Sequence, residues 1–292
     1  MFSSKRFRHF ITDPSAVIGA LLLFLFVFLA VFAPIVAPQN PYNLKTLDLG
    51  MSMKPPIWME GGEMPFLLGT DGQGRGILST ILFGCRTSLI VGFGVILLAG
   101  SFGVLIGLLA GFYRGVTDAV TMRLADIFFS FSTTLMAILM LGVVGTRSIL
   151  VVIFAISLPD WVRYARVIRG NVMSVQEEDY VVAAKSIGSS DARTIFRHIF
   201  PNSIHSLFVV AAVDLAVVIM LEATLSFLGV GVPLTRPSLG MMIANGKRFI
   251  YAGNWWMIVF PGAALVGMVV GVNLLADWMR EELNPKLQRG EQ

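Results

Sequence analysis

No charged residue occurs between Ala16 and Ala37, a run of 22 residues. At about 1.5 Å per residue, a helix of that length crosses a hydrocarbon layer of ~30 Å. Lys5, Arg6 and Arg8 precede the run. A secretory leader shares that pattern, but its apolar part is shorter, about 7–15 residues. Residues 1–15 therefore read as a cytosolic segment and 16–37 as an uncleaved first span. Comparable apolar runs follow at Ser88–Phe112, Ile127–Gly145, Ser148 to about Val162, Leu207–Val230 and Met257–Leu275. Only 14% of the chain is charged, against about 25% in a soluble domain. The expected fold is an all-α integral membrane protein with six transmembrane helices.

The loops set the orientation. With both termini in the cytosol, 14 of the 22 Lys and Arg residues fall on the cytosolic side, including Arg114, Arg123, Arg163, Arg166 and Arg169. Reversing the topology would violate the positive-inside bias. Residues 38–87 are then extracytoplasmic, 88–279 form a five-helix core, and 280–292 a cytosolic tail. Arg114–Asp126 reads as a short cytosolic turn, and Pro159 and Asp160 interrupt the fourth span. Ala99, Gly103, Gly107 and Gly111 recur every four residues in the second span. Such a face, stripped of large side chains, permits close helix packing. Trp255 and Trp256 stand where an interfacial aromatic belt would anchor the sixth span.

Between the fourth and fifth runs lies EEDYVVAAKSIGSSDARTIFRHIFPN, Glu177–Asn202. Tyr180, Ala184 and Ile187 share one face of a first short helix. Gly188 supplies a turn with φ > 0. Ser189 and Ser190 are candidate N-caps of a second helix, in which Ala192, Ile195, Phe196 and Ile199 recur at helical spacing. Pro201 is expected to stop that helix. By parity of the spans, this hairpin faces the cytosol.

The hairpin resembles the EAA loop of ABC importer permeases, and more closely that of the dipeptide/oligopeptide/nickel branch. Val182 stands where the family has a Glu, and Phe200 where it usually has Leu. Three further stretches resemble the same branch: Leu67–Gly92, Leu221–Val232 and Trp255–Leu287. Gly76 and Ser132 replace the usual Asp and Pro, and Trp278 a common Gly. The resemblance implies an ABC type I importer permease fold, with a coupling loop over residues 168–204 seated in a groove of an ATPase subunit. Val182, Ala183, Ala184, Lys185, Gly188, Arg193 and Pro201 are the positions it marks for that coupling. It also implies a homologous second permease, two cytosolic ATPases that carry ATP and Mg, and a periplasmic or lipid-anchored substrate-binding protein. The implied setting is a bacterial or archaeal cytoplasmic membrane. Di- or oligopeptides are the expected cargo, with nickel chelates, glutathione or other small solutes as alternatives.

Catalytic chemistry is not expected of the chain itself. GMMIANGKR at Gly240–Arg248 approaches a phosphate-binding loop, but it has five residues between its glycines and Arg248 where a Mg-binding hydroxyl is needed. His9, His198 and His205 are too scattered to suggest a metal site, and the single Cys85 forms no intrachain disulfide. The basic excess reflects cytosolic loops rather than a nucleic-acid surface. Asp214 and Glu222 lie within the fifth run, where a carboxylate costs a few kcal/mol or more unless partnered. Both are candidates either to line a pathway or to pair structurally with an Arg or a hydroxyl. A secondary transporter driven by ion gradients is the reading from another class; it would require inverted halves, and no such repeat is evident.

Overall fold

The computed structural model describes residues 9–43, 47–233 and 235–282. The basic residues at 5, 6 and 8, and the tail beyond 282 with its basic residues at 286 and 289, lie outside the described residues. Among those described there is no strand, only an isolated bridge between Thr70 and Gly76. Asp13 caps helix α1 (Pro14–Val31), accepting the N–H groups of Ser15 and Ala16. The Ser15 hydroxyl, donating to the same carboxylate at 2.6 Å, and then these backbone bonds hold its carboxyl below the ordinary range. A short α2 (Ala33–Val36) follows. The long helices are α3 (Ile77–Tyr113), α6 (Ile149–Val175), α10 (His205–Phe227) and α12 (Trp256–Glu282). Among the described residues, four helices, α1, α3, α10 and α12, are long and apolar enough to cross a membrane, or five if the bent pair α4 (Gly115–Ser130) and α5 (Thr133–Val144) counts as one.

Several expected boundaries are corrected. The helix that carries the second apolar run begins at Ile77, ahead of Ser88. The hydroxyls of Thr80 and Thr87 donate to the carbonyls of Gly76 and Phe83, four residues back, so these polar side chains are satisfied by local backbone within the helical stretch. Arg114–Asp126 is no turn but helix, and the third run is broken at Phe131, where the axis bends by 88°. The Ser130 hydroxyl closes α4 on the Asp126 carbonyl at 2.7 Å, and the Ser132 carbonyl opens α5 by accepting the Met136 N–H. Pro159 does not interrupt α6. Buried Ile156, Trp161, Val162 and Tyr164 pack around it and outweigh a local cost of ~3 kcal/mol.

The chain divides into two units. The first comprises Met1–Phe93, Leu141–Val152 and Leu215–Leu275. In it α1 and α12 touch through glycine: a Cβ on Gly19 would stand 2.7 Å from the Leu274 Cβ, and one on Gly271 2.8 Å from the Leu22 Cβ. Leu82 and Phe83 form an apolar cluster with Ala33. The second unit comprises Gly94–Met140, Ile153–Asp214 and Ala276–Gln292. There the small-residue face of α3 meets α6. A Cβ on Gly103 would lie 2.4 Å from the Trp161 carbonyl, one on Gly107 2.5 Å from that of Ala165, and one on Gly111 2.9 Å from the Val172 Cβ. Ala99, one turn earlier, is buried.

Candidate functional site

Within the second unit the hairpin is built from α7 (Asp179–Ser186), α8 (Asp191–Thr194), a π turn (Ile195–Ile199) and α9 (Phe200–Ser203). Gly188 has φ +85° and open space where a Cβ would sit. Its requirement is therefore conformational rather than steric. Its N–H donates to the Lys185 carbonyl and that of Ser189 to Ala184, at 3.0 and 3.1 Å, the two bonds that close a helix through a left-handed residue. Pro201 does not stop the second helix, which continues to Ser203. The π turn precedes it, with the Phe200 N–H reaching back five residues to Ile195. That widened turn accommodates the proline ring and its missing donor. The axis breaks at Ile204 instead.

The hairpin's faces are distinct. Val181, Ala184, Thr194, Ile195 and Ile199 are buried. Val182, Ala183, Lys185, Gly188, Arg193 and Pro201 are exposed. Ile187 at the turn is 87% exposed and Phe196 65%. Ala184 thus spends its small size against its own chain, and Ala183 alone of the two alanines is presented outward. Lys185 rests its ammonium 4.7 Å from the Phe112 ring centre. The hairpin is strapped at its base: Gln176 donates to the Phe112 carbonyl at 3.1 Å, Arg114 pairs with Glu177 at 3.1 Å, and Asn171 donates to the Ser203 carbonyl at 3.2 Å and to the Ser206 hydroxyl.

A ladder of ion pairs climbs α6 from that base. Arg169 holds Asp118 with two nitrogens, Arg166 holds Asp126 at 2.7 Å, and Arg163 pairs with the fully buried Asp214. Tyr164 donates its hydroxyl to the other Asp214 oxygen at 2.8 Å. Asp160, also buried, stands 3.7 Å from Arg163. The arginines that the sequence offered only as topology markers are each matched by an acid. The i, i+3 spacing along α6 was the available signal, but the acids come from other elements.

Glu222 lies in the first unit and is wholly buried. Three serine hydroxyls donate to it: Ser88 of α3 at 2.7 Å, Ser226 one turn along α10 at 2.7 Å, and Ser238, ahead of α11 (Leu239–Gly246), at 2.8 Å. One carboxylate thus ties α3 and α10 to the segment entering α11. No spacing in the sequence joins Ser88 or Ser238 to Glu222; Ser226, at i+4, was the only legible partner.

A family model described as the binding-protein-dependent transport system inner membrane component matches residues 103–289, and one described as the N-terminal TM domain of oligopeptide transport permease C matches residues 3–56. The chain is 34% identical to the dipeptide transport system permease protein DppC of Haemophilus influenzae, covering 96% of this chain and 94% of that protein. It is 36% identical to the di/tripeptide transport system permease protein DppC of Pseudomonas aeruginosa, covering 96% and 91%. With the oligopeptide transport system permease protein OppC of Bacillus subtilis the identity is 32%, over 97% and 88%. Among solved structures, the inward-facing MetNI methionine ABC transporter superposes with a TM-score of 0.55 at 17% identity, covering 70% of this chain and 96% of that one.

Proposed function

The chain belongs to the family of binding-protein-dependent transport system inner membrane components, and from that premise we propose that it is a permease subunit of an ATP-driven importer of di- or oligopeptides. The observation that carries the peptide reading is the match, over nearly the whole chain, to permeases named for dipeptide, di/tripeptide and oligopeptide transport. In this reading the chain crosses a bacterial cytoplasmic membrane six times with both ends in the cytosol, the bent pair α4–α5 and the apolar first half of α6 supplying the third and fourth crossings. It pairs with a homologous second permease to enclose the pathway. A binding protein delivers substrate from outside, and two ATPases bind ATP and Mg on the cytosolic side.

The hairpin is the coupling element. Its exposed face, with Val182, Ile187 and Phe196 outward, suits the groove of an ATPase, and its straps to α3, α6 and α10 give a route for displacement into long helices. Gly188 holds the left-handed turn. In a bulky β-branched residue that conformation costs about 1–2 kcal/mol, little against a whole fold but enough to reshape an exposed turn. Gly188→Val is expected to leave the subunit in the membrane and abolish peptide-stimulated ATP hydrolysis by the purified complex. Unimpaired stimulation would refute the coupling role. Affinity purification of the tagged chain is expected to bring down a nucleotide-hydrolysing subunit, and its absence would refute the importer reading itself.

A further inference from the structure

The turn leading into α3 commits nearly every polar group it has. Asp71 Oδ1 accepts the N–H groups of Gln73 and Arg75 at 2.8 and 2.9 Å, and Gly76 donates to Gln39 at 2.8 Å. The Thr70 hydroxyl donates to the Met51 carbonyl at 2.6 Å and accepts the Lys54 N–H at 2.8 Å, while the Trp256 indole donates to the Thr70 carbonyl at 3.3 Å. Arg75 is the exception. Its backbone is fixed, yet its buried Nε meets no acceptor among the described residues. None of the ion pairs among them includes it.

Arg75 lines a small notch with Asp71, Thr80, Ser238, Met241 and Met242, all within the first unit. The two hydroxyls there are spent on Gly76 and Glu222, which leaves the side-chain amide of exposed Asn245 and the Arg75 guanidinium as donors, of which only the guanidinium carries charge. Asp71, on the same turn, forms no ion pair with it among the described residues. Burial holds its carboxyl above the ordinary range, and two backbone N–H groups already claim one oxygen. A guanidinium fork on a rigid turn selects a planar carboxylate. Methionine walls adapt to varied apolar groups, which suits a ligand whose charged end is constant and whose adjoining side chain is not.

We propose that Arg75 binds the C-terminal carboxylate of a transported peptide at the mouth of α3. This rests on the peptide-importer reading above. The test uses the purified complex without binding protein, and a dipeptide supplied at millimolar concentration as the free acid or as its C-terminal amide. In the parent complex the free acid is expected to raise the unfolding temperature more than the amide. Arg75→Gln should erase that preference, a loss of about tenfold in affinity for the acid, and Arg75→Lys should keep part of it. A preference undiminished in Arg75→Gln overturns the proposal. So does its absence from the parent complex, or an Arg75→Gln effect confined to the binding-protein concentration needed for half-maximal ATP hydrolysis. Peptide-stimulated ATP hydrolysis by the parent complex with its binding protein is measured alongside; its absence would count against the importer reading rather than against Arg75 alone.

Discussion

The two units bury an acid of the same helix in different ways. In the second, Asp214 is met by a cation and a phenol, Arg163 and Tyr164. In the first, Glu222 is met by three neutral hydroxyls, those of Ser88, Ser226 and Ser238. A charge paired with a charge is worth most when one partner is fully buried, because removing the other strands it in low dielectric. A carboxylate solvated by hydroxyls loses less when one donor goes, since the others remain and each neutral bond contributes about 0.5–1.5 kcal/mol. The contrast implies a hierarchy: Asp214 depends on one cation, with Tyr164 as its second partner, whereas Glu222 depends on a set of neutral donors.

Arg163→Ala should therefore be the most damaging substitution at these sites. Breaking a buried pair costs about 3–5 kcal/mol, and because the arginine itself is 41% exposed the lower end applies. The detergent-solubilised complex should unfold at a clearly lower temperature, and adding Asp214→Asn should recover much of the loss, since the stranded charge is then gone. If the double variant is as unstable as the single, the pair is not what Asp214 depends on. At Glu222 the effect should be graded. Glu222→Gln keeps an acceptor for the serines and should cost about 1 kcal/mol, while Glu222→Ala leaves three buried hydroxyls without one and should cost ~2–3 kcal/mol. Ser88→Ala removes a single donor and should fall below both. Equal losses in the three variants would show that Glu222 is not held as a set.

How much of this was legible depends on whether a feature is local. The hairpin and its left-handed Gly188 are written within a few residues of one another, and the structure has both; the apolar runs are helical, but among the described residues only four helices, or five with the bent pair, are long and apolar enough to cross a membrane. Boundaries failed where a tertiary or side-chain effect overrode the local signal. Helix α3 starts at Ile77 with the Thr80 and Thr87 hydroxyls satisfied by local carbonyls, apolar packing carried α6 through Pro159, and a π turn carried the hairpin's second helix through Pro201. The acids at 214 and 222 stood out because carboxylates are rare in apolar runs. Their partners did not, because Arg163 is 51 residues from Asp214 and Ser88 is 134 from Glu222. Arg75 was invisible for a related reason. An arginine in a polar loop is unremarkable until the structure shows its buried Nε without an acceptor among the described residues while the hydroxyls beside it are committed elsewhere.

The ladder on α6 supplies the finest test, because it repeats one chemistry with acids of differing burial. Arg166 sits one turn from Arg163 and makes a well-formed 2.7 Å contact with Asp126, yet the two side chains are 38% and 56% exposed. Water or lipid headgroups can replace either partner, so exposed pairing of this kind contributes only ~0.2–1 kcal/mol. Arg166 also lies 4.5 Å from the Phe129 ring centre, which adds about 0.5–1 kcal/mol at such a site. Arg166→Ala should thus lower stability by no more than ~1–2 kcal/mol, and its pairing component should shrink as salt is raised. The Arg163 effect should hold nearly constant over the same salt range, because Asp214 has no access to the ions. If both respond to salt alike, burial of the acid is not what separates the rungs, and the hierarchy drawn between Asp214 and its exposed counterpart fails with it.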